Sequence, residues 1–173
     1  MKKIIVVFLV CLFGTAFVSM GQKYAYIDSE FILESMPEYT EAKEELNKLA
    51  VRWQAEIQER YKQIEDKKTE FVRVEAILPD EERDRRKLEI EKLESDAREM
   101  QQVRFGVSGD LFAKRKELIE PIQDKVFEAI GEVASSRNFS FVFDKANQSN
   151  LIFADPKMDI SKQVLQKLGI KGK

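Results

Sequence analysis

The chain has 173 residues, with 29 basic and 31 acidic side chains, no histidine and one cysteine. The lack of histidine removes the most common general base and metal ligand, which excludes Ser-His-Asp and Cys-His catalytic groups and the usual zinc sites. Charged residues make up 35% of the chain, and its formal net charge is −2. This composition favours a binding or structural protein over an enzyme, so we expect no catalytic residue, metal or cofactor.

Residues 1–21 have the three-part pattern of a secretory signal peptide. Two lysines precede an apolar run over residues 4–18, and small residues occupy the −3 and −1 positions of a cut before Gln22. The run is short for a membrane span, although an uncleaved N-terminal anchor is the alternative. Cleavage removes the only cysteine and leaves a mature chain of net charge −4. An exported, cysteine-free chain of this kind suits a bacterial periplasm.

Residues 22–36 predict the first part of a small body domain. The aromatic segment from Tyr24 to Asp28 is typical of a short strand. Ser29 is a suitable N-cap for one or two helical turns that end near Met36.

Residues 37–120 predict a long antiparallel helical hairpin. Apolar residues recur at spacings of three, four and seven on both sides of Pro79, which is the pattern of a coiled-coil seam. The acidic residues 80–82, directly after Pro79, favour the start of a second helix. We therefore predict two helices that form a projecting arm, with the turn between them at Pro79.

Mixed charge along the arm indicates a solvated surface rather than a ligand site. Residues 37–136 carry 25 acidic and 19 basic side chains. Pairs such as Glu44 and Lys48 are four residues apart with the acid first, which supports a helix. This negative balance argues against nucleic-acid binding, because phosphate neutralisation requires a basic stripe. Residues 169–173 resemble a phosphate loop only superficially, so we expect no nucleotide site.

The returning helix of the arm contains three residues that disfavour a regular helix. Gly106 and Gly109 each cost about 1 kcal/mol relative to alanine in a helix interior. Pro121 removes a helical hydrogen bond and is expected to kink the helix where the arm joins the body. We predict a hinge at Gly106 and Gly109, and the alternative is that both are tolerated defects.

Residues 121–173 predict the second part of the body. The segment Phe139–Phe143 is typical of a strand, and Leu151–Ala154 predicts a second strand paired with it. A terminal helix is expected to open near Ser161 and to end at Gly169. Three short strands and one short helix bury little core, so we expect several chains to pool their strands.

The order of these elements resembles the Skp (OmpH-like) family of periplasmic chaperones for outer-membrane proteins. The resemblance spans the mature chain and is most specific from Leu118 to Asp144, which includes Glu120-Pro121-Ile122 and Phe141-Val142-Phe143-Asp144. It implies a homotrimer in which a β-rich body carries three helical hairpins around a cavity. It also implies that the cavity holds unfolded outer-membrane β-barrel proteins without ATP, with only indirect membrane contact.

The resulting fold class is α+β, with a long antiparallel helical hairpin (coiled-coil arm) projecting from a small β-rich trimerisation body. The residues expected in the trimer core are Tyr26, Ile27, Ile122, Val126, Ile130, Phe141, Phe143 and Ile152. Those expected to be partly exposed for client contact are Trp53, Phe71, Ile77 and Phe105, and packing within the hairpin is the alternative for each.

The negative charge of the mature chain departs from this resemblance, because familiar members are basic. We therefore carry over neither electrostatic capture of clients nor a lipopolysaccharide site, and we expect client binding to depend weakly on salt. A second function remains open: a coiled-coil scaffold or spacer of the cell envelope that holds one specific partner.

Overall fold

A computed structural model describes residues 22–146 and 151–170. The signal-peptide prediction lies outside the described residues. The strands are β1 (Tyr24–Ile27) and β2 (Phe141–Asp144). The helices are α1 (Ser29–Glu34), α2 (Pro37–Val74), α3 (Asp80–Phe105), α4 (Asp110–Arg137) and α5 (Ser161–Lys167), with short 3₁₀ turns at Glu75–Ile77 and Pro156–Met158.

The sheet of the body pairs β1 with β2 in parallel, with Tyr24 opposite Phe141 and Ile27 opposite Asp144. Parallel strands require a long crossover connection, and here the whole arm supplies it. The predicted pairing of β2 with residues 151–154 is therefore wrong, since those residues form no strand. The chain instead returns to the other side of β1, where the Ile160 amide donates to the Tyr26 carbonyl at 3.0 Å.

The body has a hydrophobic core within the single chain. The sheet contributes Ala25 and Ile27, and α5 contributes Val164 and Leu165, both with no exposed surface. Helix α1, the first turns of α2 and the second half of α4 also contribute to this core. The single chain thus buries more than the little core expected from its strands and terminal helix, because the helices at the base of the arm pack against them. The pooling of strands by several chains stays a prediction.

The arm is the predicted antiparallel hairpin. Helix α2 runs unbroken for 38 residues, and α3 and α4 return along it. Ion pairs mark the antiparallel register, since Lys125 meets Glu38 near the body and Lys67 meets Glu89 further out, each at 2.7 Å. The seam between the helices buries Leu46, Trp53, Ile57, Ile64 and Phe71 of α2.

The turn at the tip of the arm follows the prediction at Pro79, which is the N-cap of α3. Arg83 stabilises this turn, because its guanidinium donates to the Leu78 carbonyl at 3.1 Å and to the Glu75 carbonyl at 3.3 Å. The Glu75 carbonyl also accepts from the Leu78 amide at 3.4 Å, so the guanidinium adds to the backbone bonding of the turn.

The N-cap of α1 differs from the prediction. The cap is Asp28, whose carboxylate accepts from the Phe31 amide at 2.9 Å. The Ser29 hydroxyl instead donates to the Asp144 carboxylate at 2.6 Å. This bond joins the start of α1 to the end of β2.

Candidate functional site

The outer face of the sheet is an exposed aromatic surface. Tyr24 stacks on Phe141 with ring centroids 5.8 Å apart and on Phe143 at 6.3 Å. All three rings remain between 42% and 52% exposed. Parallel sheets are normally covered on both faces, so an uncovered aromatic face is typical of a surface that another element packs against. Within the described residues, β2 also has β1 as its only strand partner, which leaves its outer edge open.

Further apolar side chains of the body are also exposed. Ile152 is 99% exposed and Phe153 is 82% exposed, in the segment without regular secondary structure that precedes Pro156. Phe127 on α4 is 70% exposed. A groove of about 760 Å³ lies at the start of the sheet, lined by Tyr24, Phe139 and Met158 together with two basic side chains.

The predicted trimer-core residues divide into two groups. Ile27, Ile122 and Val126 belong to the core of the single chain, Tyr26 is also buried, and Ile130 packs against that core. Phe141, Phe143 and Ile152 are exposed. A role at a chain interface stays a prediction for both groups. The predicted set does not include the exposed Tyr24, although Tyr24 lies two residues before Tyr26 on β1, a spacing that places both side chains on one face of the strand.

The predicted client-contact residues also divide. The expectation that Trp53 and Phe71 are partly exposed is wrong, because each is 8% exposed and lies in the seam of the hairpin. Phe105 is half-buried and packs edge-to-face on Trp53 with ring centroids 6.3 Å apart. Ile77, at the tip, is 82% exposed as expected.

Other apolar side chains of the arm face solvent along both helices of the hairpin. They are at least half exposed and include Val51, Val72, Leu88, Val103, Val107 and Phe112. They are separated by charged residues rather than gathered into one patch. Leu88, Val103 and Val107 fit the helical period of the seam and were therefore expected to be covered there. Val51, Val72 and Phe112 lie off that period and were not among the predicted client contacts.

The two glycines of the arm interrupt the returning helix. Helix α3 ends at Phe105 and α4 begins at Asp110, so residues 106–109 form a short turn that we call the elbow. A side chain on Gly106 would place its Cβ 2.4 Å from the Gln102 carbonyl oxygen, and one on Gly109 would place it 2.5 Å from the Val103 carbonyl oxygen. Only glycine fits at these positions, because both obstacles are backbone atoms. The helix break is thus observed, and its motion as a hinge stays a prediction.

Pro121 does not break its helix. It lies inside α4, immediately before Ile122, which is the first buried residue of that helix. Its position thus coincides with the point where α4 enters the core of the body. The kink at Pro121 stays a prediction.

Charged groups on the arm are paired and solvated. Hydrogen bonds from Arg85 and Arg86 lower the pKa of Glu82, and Lys67 and Lys68 likewise lower the pKa of Glu89 and of Glu94. None of these carboxylates is enclosed in an apolar pocket of the kind that prepares a general acid. This surface supports helix packing and solubility, with no arrangement that points to acid–base chemistry.

The described residues contain no cluster of three or more metal-ligating His, Cys, Asp or Glu side chains. Within the same residues, no helix combines the length and apolar character that a bilayer crossing requires.

Comparison with known proteins agrees with this architecture. The crystal structure of a protein from Caulobacter crescentus CB15, described as an OmpH-like outer membrane chaperone, superposes with a TM-score of 0.69 at 13% identity and covers 88% of each chain. An uncharacterized protein of Aquifex aeolicus (strain VF5) is 26% identical over 151 residues, which is 87% of this chain and 88% of that protein. The model of the family described as "Outer membrane protein (OmpH-like)" matches residues 23–168, and the chain therefore belongs to the OmpH-like family.

Proposed function

We propose that this protein is an ATP-independent holdase chaperone that binds unfolded outer-membrane β-barrel proteins and prevents their aggregation. The observation that carries the proposal is the set of separate exposed apolar side chains along the arm, from Val51 to the tip at Ile77 and back to Phe112. Each contact is weak alone, and many together hold an extended chain without selecting one sequence. Charged residues between these contacts keep the empty arm soluble.

The chaperone works as a homotrimer in this proposal. The other two chains cover three surfaces of the body. These are the aromatic face of Tyr24, Phe141 and Phe143, the open edge of β2, and the exposed side chains of Ile152 and Phe153. Because these groups lie on the body, their association leaves the arms projecting from one assembled core. Three arms then surround a cavity in which the client is held.

The protein acts in the periplasm after export by the signal peptide of residues 1–21, which is cut before Gln22. Its family membership and the residue pattern of this segment support this location. A chaperone in this compartment has no ATP supply, which agrees with binding by surface contacts alone. The turn at the elbow allows the outer part of the arm to move as the cavity adjusts to clients of different size.

A scaffold or spacer of the cell envelope is the second candidate. The continuous helix α2 and the ion pairs between α2 and the returning helices favour it, because a spacer requires a rigid arm. A scaffold would recognise one folded partner and would leave unfolded proteins unprotected.

The two candidates differ in an aggregation assay. An outer-membrane β-barrel protein is diluted from urea into buffer that contains residues 22–173, without ATP, and light scattering is followed. We expect scattering to fall as the protein is added, and to fall equally at low and high salt because the contacts are apolar. Undiminished aggregation in the presence of an intact oligomer would refute the holdase and favour the scaffold.

A further inference from the structure

The elbow is closed by side chains from both helices that it joins. Arg104, in the last turn of α3, forms an ion pair with Asp110, the first residue of α4, at 2.5 Å between Nη1 and Oδ2. Asp110 is also favoured by its position, since a carboxylate in the first turn of a helix interacts well with the helix dipole. This ion pair spans the four residues in which the returning helix is interrupted.

The same arginine covers the single tryptophan of the chain. The Arg104 guanidinium carbon lies 4.5 Å from the centre of the Trp53 ring, and Phe105 packs on that ring edge-to-face. Trp53 is 8% exposed in the seam of the hairpin. Two consecutive residues at the end of α3 are thus among the groups that cover it.

Separate ion pairs attach α3 and α4 to α2 on the two sides of the elbow. Beyond it, α3 is held through pairs such as Lys67 with Glu89, and α4 is held near the body through pairs such as Lys125 with Glu38. The Arg104–Asp110 ion pair lies between these attachments. It is the contact through which α4 holds the guanidinium that lies on the Trp53 ring, so loss of the pair frees that side chain while both attachments stay in place.

We infer that the Arg104–Asp110 ion pair is a latch that keeps Trp53 buried in the empty arm. Release of the latch exposes the indole as a further apolar contact for an unfolded chain. The latch itself is a property of the free protein, and only its use in client binding rests on the proposed function. Both members of the pair are partly exposed, at 33% and 44% of their side-chain surface, so the latch is weak enough to open.

Quenching of Trp53 fluorescence by acrylamide tests the latch without any client, because the chain has one tryptophan. Asp110→Asn removes the ion pair and retains the shape of the side chain. We expect the quenching constant to rise about two- to five-fold, the range that an exposed ion pair spans in an equilibrium constant. The matched control is Glu94→Gln, which removes a different ion pair between the helices of the arm and should leave quenching unchanged.

Gly106→Ala disturbs the elbow through its backbone and leaves the Asp110 side chain unchanged. It therefore tests whether any rise in quenching is specific to Asp110. The added Cβ would clash with the Gln102 carbonyl, whereas the matched control Gly131→Ala, in α4, meets no atom within 4 Å. We expect increased quenching for the first variant alone. Unchanged quenching in both elbow variants, or an equal increase in both controls, would overturn the latch.

Client binding by the unlatched protein tests the second part of the inference. With an unfolded outer-membrane β-barrel protein as the probe, we expect Asp110→Asn to bind more tightly than wild type by about two- to five-fold. Adding Trp53→Leu should abolish that gain. No gain, or a gain that survives the loss of Trp53, would overturn the role of Trp53 as a contact. A wild-type protein that binds no client at all would instead refute the proposed function and leave the quenching result standing.

Discussion

Phe141→Ala tests whether the aromatic face of the sheet holds the oligomer together. Phe141 is 52% exposed in the single chain. A fully buried phenylalanine side chain removes about 200 Å² from solvent, so about 100 Å² of Phe141 is still available to be buried in an interface. Burial of that area stabilises the interface by ~2 kcal/mol per chain. In a trimer the three losses add to ~6 kcal/mol. This raises the trimer dissociation constant about 10⁴-fold. The protein concentration at which half of the trimer is dissociated varies with the square root of that constant, so it rises about a hundredfold.

The assay is light-scattering chromatography over a series of dilutions, with circular dichroism to verify that the helices remain. Phe112→Ala is the matched control, because Phe112 is 55% exposed but lies on the arm. We expect this control to remain associated at dilutions where Phe141→Ala is monomeric. Equal association of Phe141→Ala and wild type would refute the assignment of this face, and equal dissociation of both variants would show that the loss is not specific to the body.

Three further predictions follow from the burial and charge of single groups. Leu165→Ala removes a side chain with no exposed surface and should lower the free energy of unfolding by about 2–5 kcal/mol, measured by urea titration. Gly131→Ala, at a helical position with open space, should raise the free energy of unfolding by up to about 1 kcal/mol, and a lower thermal midpoint would contradict this. Acid should destabilise the arm: carboxylates whose pKa is lowered in the fold stabilise it above the ordinary value of about 4.3, and this stability is lost as the pH falls through the lowered values. A free energy of unfolding, measured by urea titration, that does not fall between neutral pH and pH 2 would contradict the role of these groups, which are Glu82, Glu89 and Glu94.

The arm was predictable because its signals are local. Helical periodicity on both sides of Pro79 involves residues that are close in sequence. The turn between the two helices is likewise indicated by Pro79 and the acidic residues directly after it. The interruption at Gly106 and Gly109 was equally visible, since two glycines close together disfavour a helix wherever they lie. The clash of each glycine Cβ with a backbone carbonyl could only come from the structure.

The sheet was less predictable because strand pairing is not a local property. Residues 139–143 and 151–154 are close in sequence and both rich in aromatic and β-branched residues, which favoured a hairpin. The actual partner of β2 is β1, more than a hundred residues earlier. No local pattern distinguishes these two pairings, since both satisfy the same alternation of side chains.

The exposure of the aromatic residues on the arm could not be decided from the sequence. Trp53 and Phe71 fit the seam pattern, yet partial exposure was expected because each helix of a two-helix hairpin has one neighbour. The alternative, packing within the hairpin, holds for both, since each is 8% exposed. Val107 shows the converse, because the helical period placed it in the seam and it is exposed in the structure.

The mass of the complex with a client shows directly whether the protein is a trimeric holdase. Residues 22–173 are mixed with an unfolded outer-membrane β-barrel protein as the urea is diluted, without ATP, and the mass of the soluble complex is measured by light-scattering chromatography. We expect a soluble complex of three copies of this chain with one client. A client that precipitates while the chain elutes alone as an intact oligomer would refute the trimeric holdase.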